Sequence, residues 1–201
     1  MLKQSSEYYT KENNLLWIQT YKGNKFYFEN PKFDIEEIAH ALSLQCRFTG
    51  HIKDFYSVAE HSVLVAGLSK IFGGDPFEGL LHDAHEAYFS DLASPWKSVV
   101  PDYKVAEKKL ESAMRTQFGL VPEISEIVKK ADWVALFIEA RSLLNGDISD
   151  WVAPEGIREE AAKLYKTIRP ACLMPNAAKR FFLDAFESLE KKKKNAAPTA
   201  A

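Results

Sequence analysis

Apolar residues recur along most of this chain at the three- and four-residue spacing of helices buried on one face. Only the beginning departs from that period. There, Leu15-Leu16-Trp17-Ile18 and Lys25-Phe26-Tyr27-Phe28 flank Lys22-Gly23-Asn24, which predicts a short β-hairpin. Asp34 followed by Glu37 then reads as a helix cap, with Ile35, Ile38, Ala39, Leu42 and Cys46 behind it at helical spacing. Ser57-Val58-Ala59-Glu60 opens a second helix that runs to about Ile71 and closes at Gly73-Gly74. Asp75-Pro76-Phe77-Glu78 starts a third, expected to continue to about Ser90. A fourth spans about 102–118 on Tyr103, Ala106, Leu110, Met114 and Phe118. A fifth begins near Pro122 and stops at Asn145-Gly146, and two amphipathic helices at about 155–168 and 176–190 serve as scaffold. Lys191 to Lys194 and the Asn-Ala-Ala-Pro that follows read as a frayed, disordered basic tail. The expectation is an all-α helical bundle with a short N-terminal β-hairpin, one domain over 13–190 and a tail over 191–201.

Composition narrows the function classes. A chain of 201 residues, 46% hydrophobic, suits one core. A net charge of −2 gives no general attraction to nucleic acid or anionic membrane. Cys46 and Cys172 are far apart and lack CxxC spacing, so neither a disulfide framework nor a cysteine zinc site is indicated. With no apolar leader and no run of 18 apolar residues, the chain reads as soluble and cytoplasmic.

Against this background, Leu81-His82-Asp83-Ala84-His85-Glu86-Ala87 stands out. On a regular helix His82 and Glu86 share a face, and Asp83 points about 100° away from His82. Desolvating an imidazole and two carboxylates beside an apolar helix is costly unless a cation compensates, and a divalent metal does so most directly. A His-Asp dipeptide alone usually marks a solvated helix face, so context decides. His61 sits one turn inside the helix opened by Ser57, and Asp132 interrupts an apolar helix where an aspartate needs a partner. Each taken alone reads as an ordinary core or surface residue. If three helices gather them with His82 and Asp83, they make a two-histidine, two-aspartate metal site.

That order of ligands resembles the HD-domain metal-dependent phosphohydrolases. Arg47-Phe48, Val58-Ala59-Glu60-His61-Ser62, the His82 to Tyr88 stretch, Asp91, Pro95-Trp96-Lys97 and Asp132 are similar to the 5′-deoxynucleotidase branch and to phage dATP triphosphohydrolases. The likeness covers roughly 17–141. It implies one divalent metal (Co, Mn, Zn, Fe or Ni, with Mg less favoured) on His61, His82, Asp83 and Asp132. It makes Glu86 the proton-handling carboxylate, Asp91 a sugar contact, and Arg47 and Lys97 phosphate contacts. Phe48 stands where the monophosphatases carry a tryptophan beside the sugar 2′ position. His85 reads as a group behind the ligands, with leaving-group acid and second-metal ligand as alternatives, and Trp96 as either a base-stacking ring or packing. The implied substrate is a small deoxynucleotide, as monophosphate or triphosphate, and the implied state a homo-oligomer. A nucleotide-binding regulatory module with an inactive metal site is the competing reading.

Overall fold

The computed structural model describes residues 10–12 and 15–196. The expected hairpin is present, with one strand more than expected. β1 (Thr10–Glu12), β2 (Leu15–Gln19) and β3 (Lys25–Tyr27) form an antiparallel sheet in that order. Ile18 pairs with Phe26, and Phe26 is the sheet's buried contribution to the core. Nine helices follow among the described residues: α1 (Ile35–Leu44), α2 (Val58–Ile71), α3 (Pro76–Leu81), α4 (Glu86–Phe89), α5 (Ser94–Lys97), α6 (Pro101–Gln117), α7 (Glu126–Leu143), α8 (Ile157–Leu164) and α9 (Pro175–Ala196).

The anticipated caps are real, but their acidic third positions are used differently. Asp34 accepts from the amides of Glu36 and Glu37, and Ser57 Oγ from that of Glu60. The Glu37 carboxylate turns away to Thr20 Oγ1 at 2.5 Å and Asn24 Nδ2 at 3.0 Å, fastening the hairpin to α1. Glu60 accepts from three successive amides, those of Ala171, Cys172 and Leu173, fastening the segment before α9 to α2.

α2 is the axis of the molecule. On one side Val58, Ala59 and Ala66 join a cluster with Ile38, Leu42, Leu80, Leu81, Met114 and Phe182. On the other, Val65 and Leu68 join Val128, Val134, Ile138 and Ile157. A helix apolar over most of its surface belongs in an interior. His61, fully buried on α2, lies between the two clusters.

Two expectations need correction. The helix expected from Asp75 to Ser90 is broken: α3 ends at Leu81, a turn carries His82 to His85, and α4 starts at Glu86. The main chain tightens there into i→i+3 bonds, Ala84 N–H to Leu81 O at 3.1 Å and Glu86 N–H to Asp83 O at 3.0 Å. Residues 191–194 are not a frayed tail, because α9 continues through them to Ala196. Lys193 donates to the Gly119 carbonyl at 2.9 Å and lies over the Phe77 ring, so part of the basic run is tied to the body. Residues 197–201 of the expected tail lie outside the described residues, as does Asn13 at its other boundary.

Candidate metal centre

Three elements deliver the four expected ligands. α2 brings His61, the turn after α3 brings His82 and Asp83, and α7 brings Asp132. The two imidazoles face each other with their Nε2 atoms 3.3 Å apart. Asp132 Oδ1 lies 3.2 Å from His61 Nε2 and 3.9 Å from His82 Nε2. Asp83 Oδ2 lies 2.9 Å from His82 Nε2 and 3.6 Å from His61 Nε2. Breaking the helix lets Asp83 reach the point His82 faces, which a regular 100° step opposes. The histidines are buried, while the Asp83 and Asp132 side chains are 21% and 45% exposed, so the cluster opens to solvent on its carboxylate side.

The outer nitrogens show how this group could hold a cation. His82 Nδ1 lies 2.8 Å from the Gly79 carbonyl, which can only accept, so Nδ1 carries a proton. His61 Nδ1 lies 2.6 Å from Glu139 Oε1 and likewise donates. With the outer nitrogens so occupied, both Nε2 atoms turn toward one point that two carboxylates also approach, where they carry protons or, once deprotonated, offer lone pairs to a cation. Metal-binding histidines are held in this way, with the second ring nitrogen donating to a carboxylate or carbonyl. Nitrogen and oxygen donors of this kind suit a first-row divalent ion, and His61, His82 and Asp132 by themselves form a group able to hold one.

The titration behaviour tells the same story. Burial and the Arg47 guanidinium pull His61 down, but Glu139 and Asp132 outweigh them and raise it to about 9. Burial opposes the charge on His82 too, and Asp83 and Asp132 still raise it. Burial pushes Asp83 and Asp132 up, and the facing imidazoles more than reverse this, Asp83 most strongly. The four groups demand a positive charge at their centre, as protons or as a metal.

Around this centre lies a second layer. Arg47 belongs to a 3₁₀ turn, Arg47–Gly50, fixed beside the start of α2 by the Cys46–Ser57 bridge and by its own amide donating to the Tyr56 carbonyl at 2.9 Å. Its Nε and Nη2 both lie 3.0 Å from Glu139 Oε2, so the expected phosphate cation is already engaged with a carboxylate. Phe48 adopts φ 54° and its ring lies beside that guanidinium. Burial is the main reason the Glu86 carboxyl is held well above the usual range, with Asp83 and Asp91 adding to it. Burial raises Asp91 as well, against Arg47 and Lys97. Lys97 Nζ donates to Glu107 Oε1 at 2.6 Å and stands 3.7 Å from Glu86 Oε1.

His85 is buried beside Glu86, with Nε2 3.9 Å from Glu107 Oε1 and no hydrogen bond from either ring nitrogen to a described residue. His85, Glu86 and Glu107 make a second cluster of possible ligands. The Lys97 ammonium already serves as the cation of that cluster. Trp96, 60% exposed, has no ring or hydrogen-bond contact to these groups among the described residues.

Sequence reasoning missed Glu139, Tyr56 and Glu107. Glu139 had a signal: it follows Asp132 by seven residues inside the same apolar helix, and the need for a partner argued for Asp132 applies equally to it. Glu107 had none, because it lies in an ordinary Glu-Lys-Lys stretch of an amphipathic helix.

No family model matches the chain. It is 39% identical over 181 residues to the uncharacterized protein YfdR of Escherichia coli K12, covering 89% of this chain and 98% of YfdR. It is 33% identical over 144 residues to an uncharacterized protein of Rhodobacter capsulatus, covering 63% of this chain and 72% of that one. Neither relative's name states an activity.

Proposed function

We propose that this chain, which belongs to the family of Escherichia coli YfdR, is an HD-domain phosphohydrolase acting on 2′-deoxynucleotides with the help of one divalent metal. The observation that carries this reading is the pair of buried imidazoles with Nε2 atoms 3.3 Å apart, Nδ1 atoms engaged, and two aspartates beside them. His61, His82, Asp83 and Asp132 would hold the ion, with Mn, Co, Fe, Ni or Zn favoured over Mg. Such an ion supplies Lewis acidity toward a phosphoryl oxygen and makes water a competent nucleophile near neutral pH.

The remaining steps belong to the chain's own groups. Glu86, held protonated by burial, gives its proton to the leaving oxygen. Lys97 neutralises phosphate as a point charge, and Arg47 offers the guanidinium edge not engaged by Glu139. Asp91 accepts the sugar 3′-hydroxyl, and Phe48 crowds the 2′ side. A 2′-hydroxyl pressed against a phenyl ring loses its hydrogen bond, at about 1–3 kcal/mol, a preference of roughly tenfold to a hundredfold for deoxyribose.

The test is a metal-loaded assay on dAMP, AMP, dATP and ATP with separation of phosphate, pyrophosphate and triphosphate. Hydrolysis of the deoxy members, lost in His82→Ala and Asp83→Ala, is the expected result. Triphosphate release would assign the dATP triphosphohydrolase branch and phosphate release the monophosphatase branch. Equal turnover of ribo and deoxy substrates would overturn the sugar argument, and no turnover of any nucleotide would overturn the activity.

A further inference from the structure

We propose that Glu139 is a positioning residue that ties the orientation of the metal ligand His61 to that of Arg47 through the two oxygens of one buried carboxylate. The proposal rests on the phosphohydrolase reading for what Arg47 does, but its geometry is independent of substrate. Glu139 is fully buried on α7, inside an otherwise apolar stretch. Its oxygens divide the labour. Oε1 accepts from His61 Nδ1 at 2.6 Å and from the Tyr56 hydroxyl at 3.0 Å. Oε2 accepts from Arg47 Nε and Nη2, both at 3.0 Å. Four donors on one carboxylate account for all its lone pairs.

Two consequences follow. The carboxylate selects the His61 tautomer that leaves Nε2 bare toward the metal position. It also cancels the charge of Arg47, whose guanidinium would otherwise repel a divalent ion held by the neighbouring imidazole. Glutamine at 139 has the same shape but one acceptor oxygen and one NH2 group. Whichever way the amide turns, one branch suffers: an NH2 toward Arg47 sets donor against donor, and an NH2 toward His61 makes Nδ1 an acceptor and moves the ring proton to Nε2, the atom that faces the metal position.

The experiment measures Mn2+ affinity of the metal-stripped full chain by calorimetry for wild type, Glu139→Gln, Arg47→Gln and the double variant, with thermal unfolding run alongside. Glu139→Gln is expected to weaken Mn2+ about 10- to 100-fold, the usual cost of losing a group that orients a ligand. Arg47→Gln by itself leaves affinity unchanged or tighter. In the Glu139→Gln background it recovers part of the loss, because the unpaired cation is gone. A role confined to packing would lower unfolding temperatures while leaving Mn2+ affinity of the folded protein at the wild-type value, and that result overturns the proposal. So does strict additivity of the two substitutions, or a wild type that binds no Mn2+. A wild type that binds Mn2+ yet hydrolyses no nucleotide overturns the phosphohydrolase reading alone. Should Glu139→Gln fail to fold, Tyr56→Phe, which removes one Oε1 donor without adding a charge, must shift Mn2+ affinity by a measurable fold or the proposal fails.

Discussion

Glu86 is where holding a metal and using it can be separated. Its carboxyl is kept neutral by burial, and its backbone carbonyl is anchored by Gln45 Nε2 at 2.9 Å, so glutamine preserves both charge and position. Glu86→Gln should retain the metal while losing about 10²- to 10⁴-fold in turnover, as removal of a positioned acid does; single-turnover rates together with metal analysis check this. Arg47 and Lys97, equivalent as sequence candidates, part company in the structure. Arg47→Ala strands the Glu139 charge in the interior and should cost about 3–5 kcal/mol of stability, visible as a lower denaturant midpoint. Lys97 is on the site's rim with its side chain 21% exposed and its partner Glu107 16% exposed, so Lys97→Ala should reduce turnover of charged nucleotides with a smaller fall in that midpoint than Arg47→Ala. The four residues proposed as ligands were legible in the sequence as a group because their types and order are distinctive, and the structure brings them together. Glu139 was legible only as a carboxylate in need of partners, because its place in an apolar helix does not say that they are His61, Tyr56 and Arg47.

At the scale of elements, the approach of α3 to α2 sets the position of His82. Gly79 lies so close to α2 that an added Cβ would meet Ser69 Oγ at 2.6 Å and the Ala66 Cα at 3.0 Å. Its carbonyl also fixes the His82 ring. Gly79→Ala should therefore cost about 1–3 kcal/mol through overpacking and weaken metal binding as well, which calorimetry on the folded variant would detect. The other end of α3's support is the buried pair of Glu78 and Arg115, 2.7 Å apart. Burial alone would raise Glu78, but the Ser125 amide and Arg115 bring it below its usual value of 4.5. A depressed carboxyl contributes stability above its unfolded-state value and loses it as pH falls through the folded-state value. The unfolding-temperature gap between wild type and Glu78→Gln should be full at neutral pH and close below about pH 4.5. Apolar spacing marked helices correctly through this region, but periodicity is blind to a change from i→i+4 to i→i+3 bonding. The break at His82 to His85 was for that reason read as continuous helix.

On the scale of the whole molecule, the sequence located the hairpin and the long helices because each has an apolar face of its own. The end of α9 escaped it, since Lys193 is fixed by a carbonyl 74 residues away in sequence. No described helix is long and apolar enough to cross a membrane. All of this architecture converges on one claim, that α2, the turn after α3, and α7 build a single divalent metal site. Calorimetric titration of the metal-stripped protein with Mn2+, repeated on Asp132→Ala, tests it most directly, because the partly exposed Asp132 side chain can be removed without opening the core. The wild type should take up one equivalent, and Asp132→Ala should lose that uptake while keeping its helical circular dichroism. Equal stoichiometry and affinity in the two proteins would contradict the site.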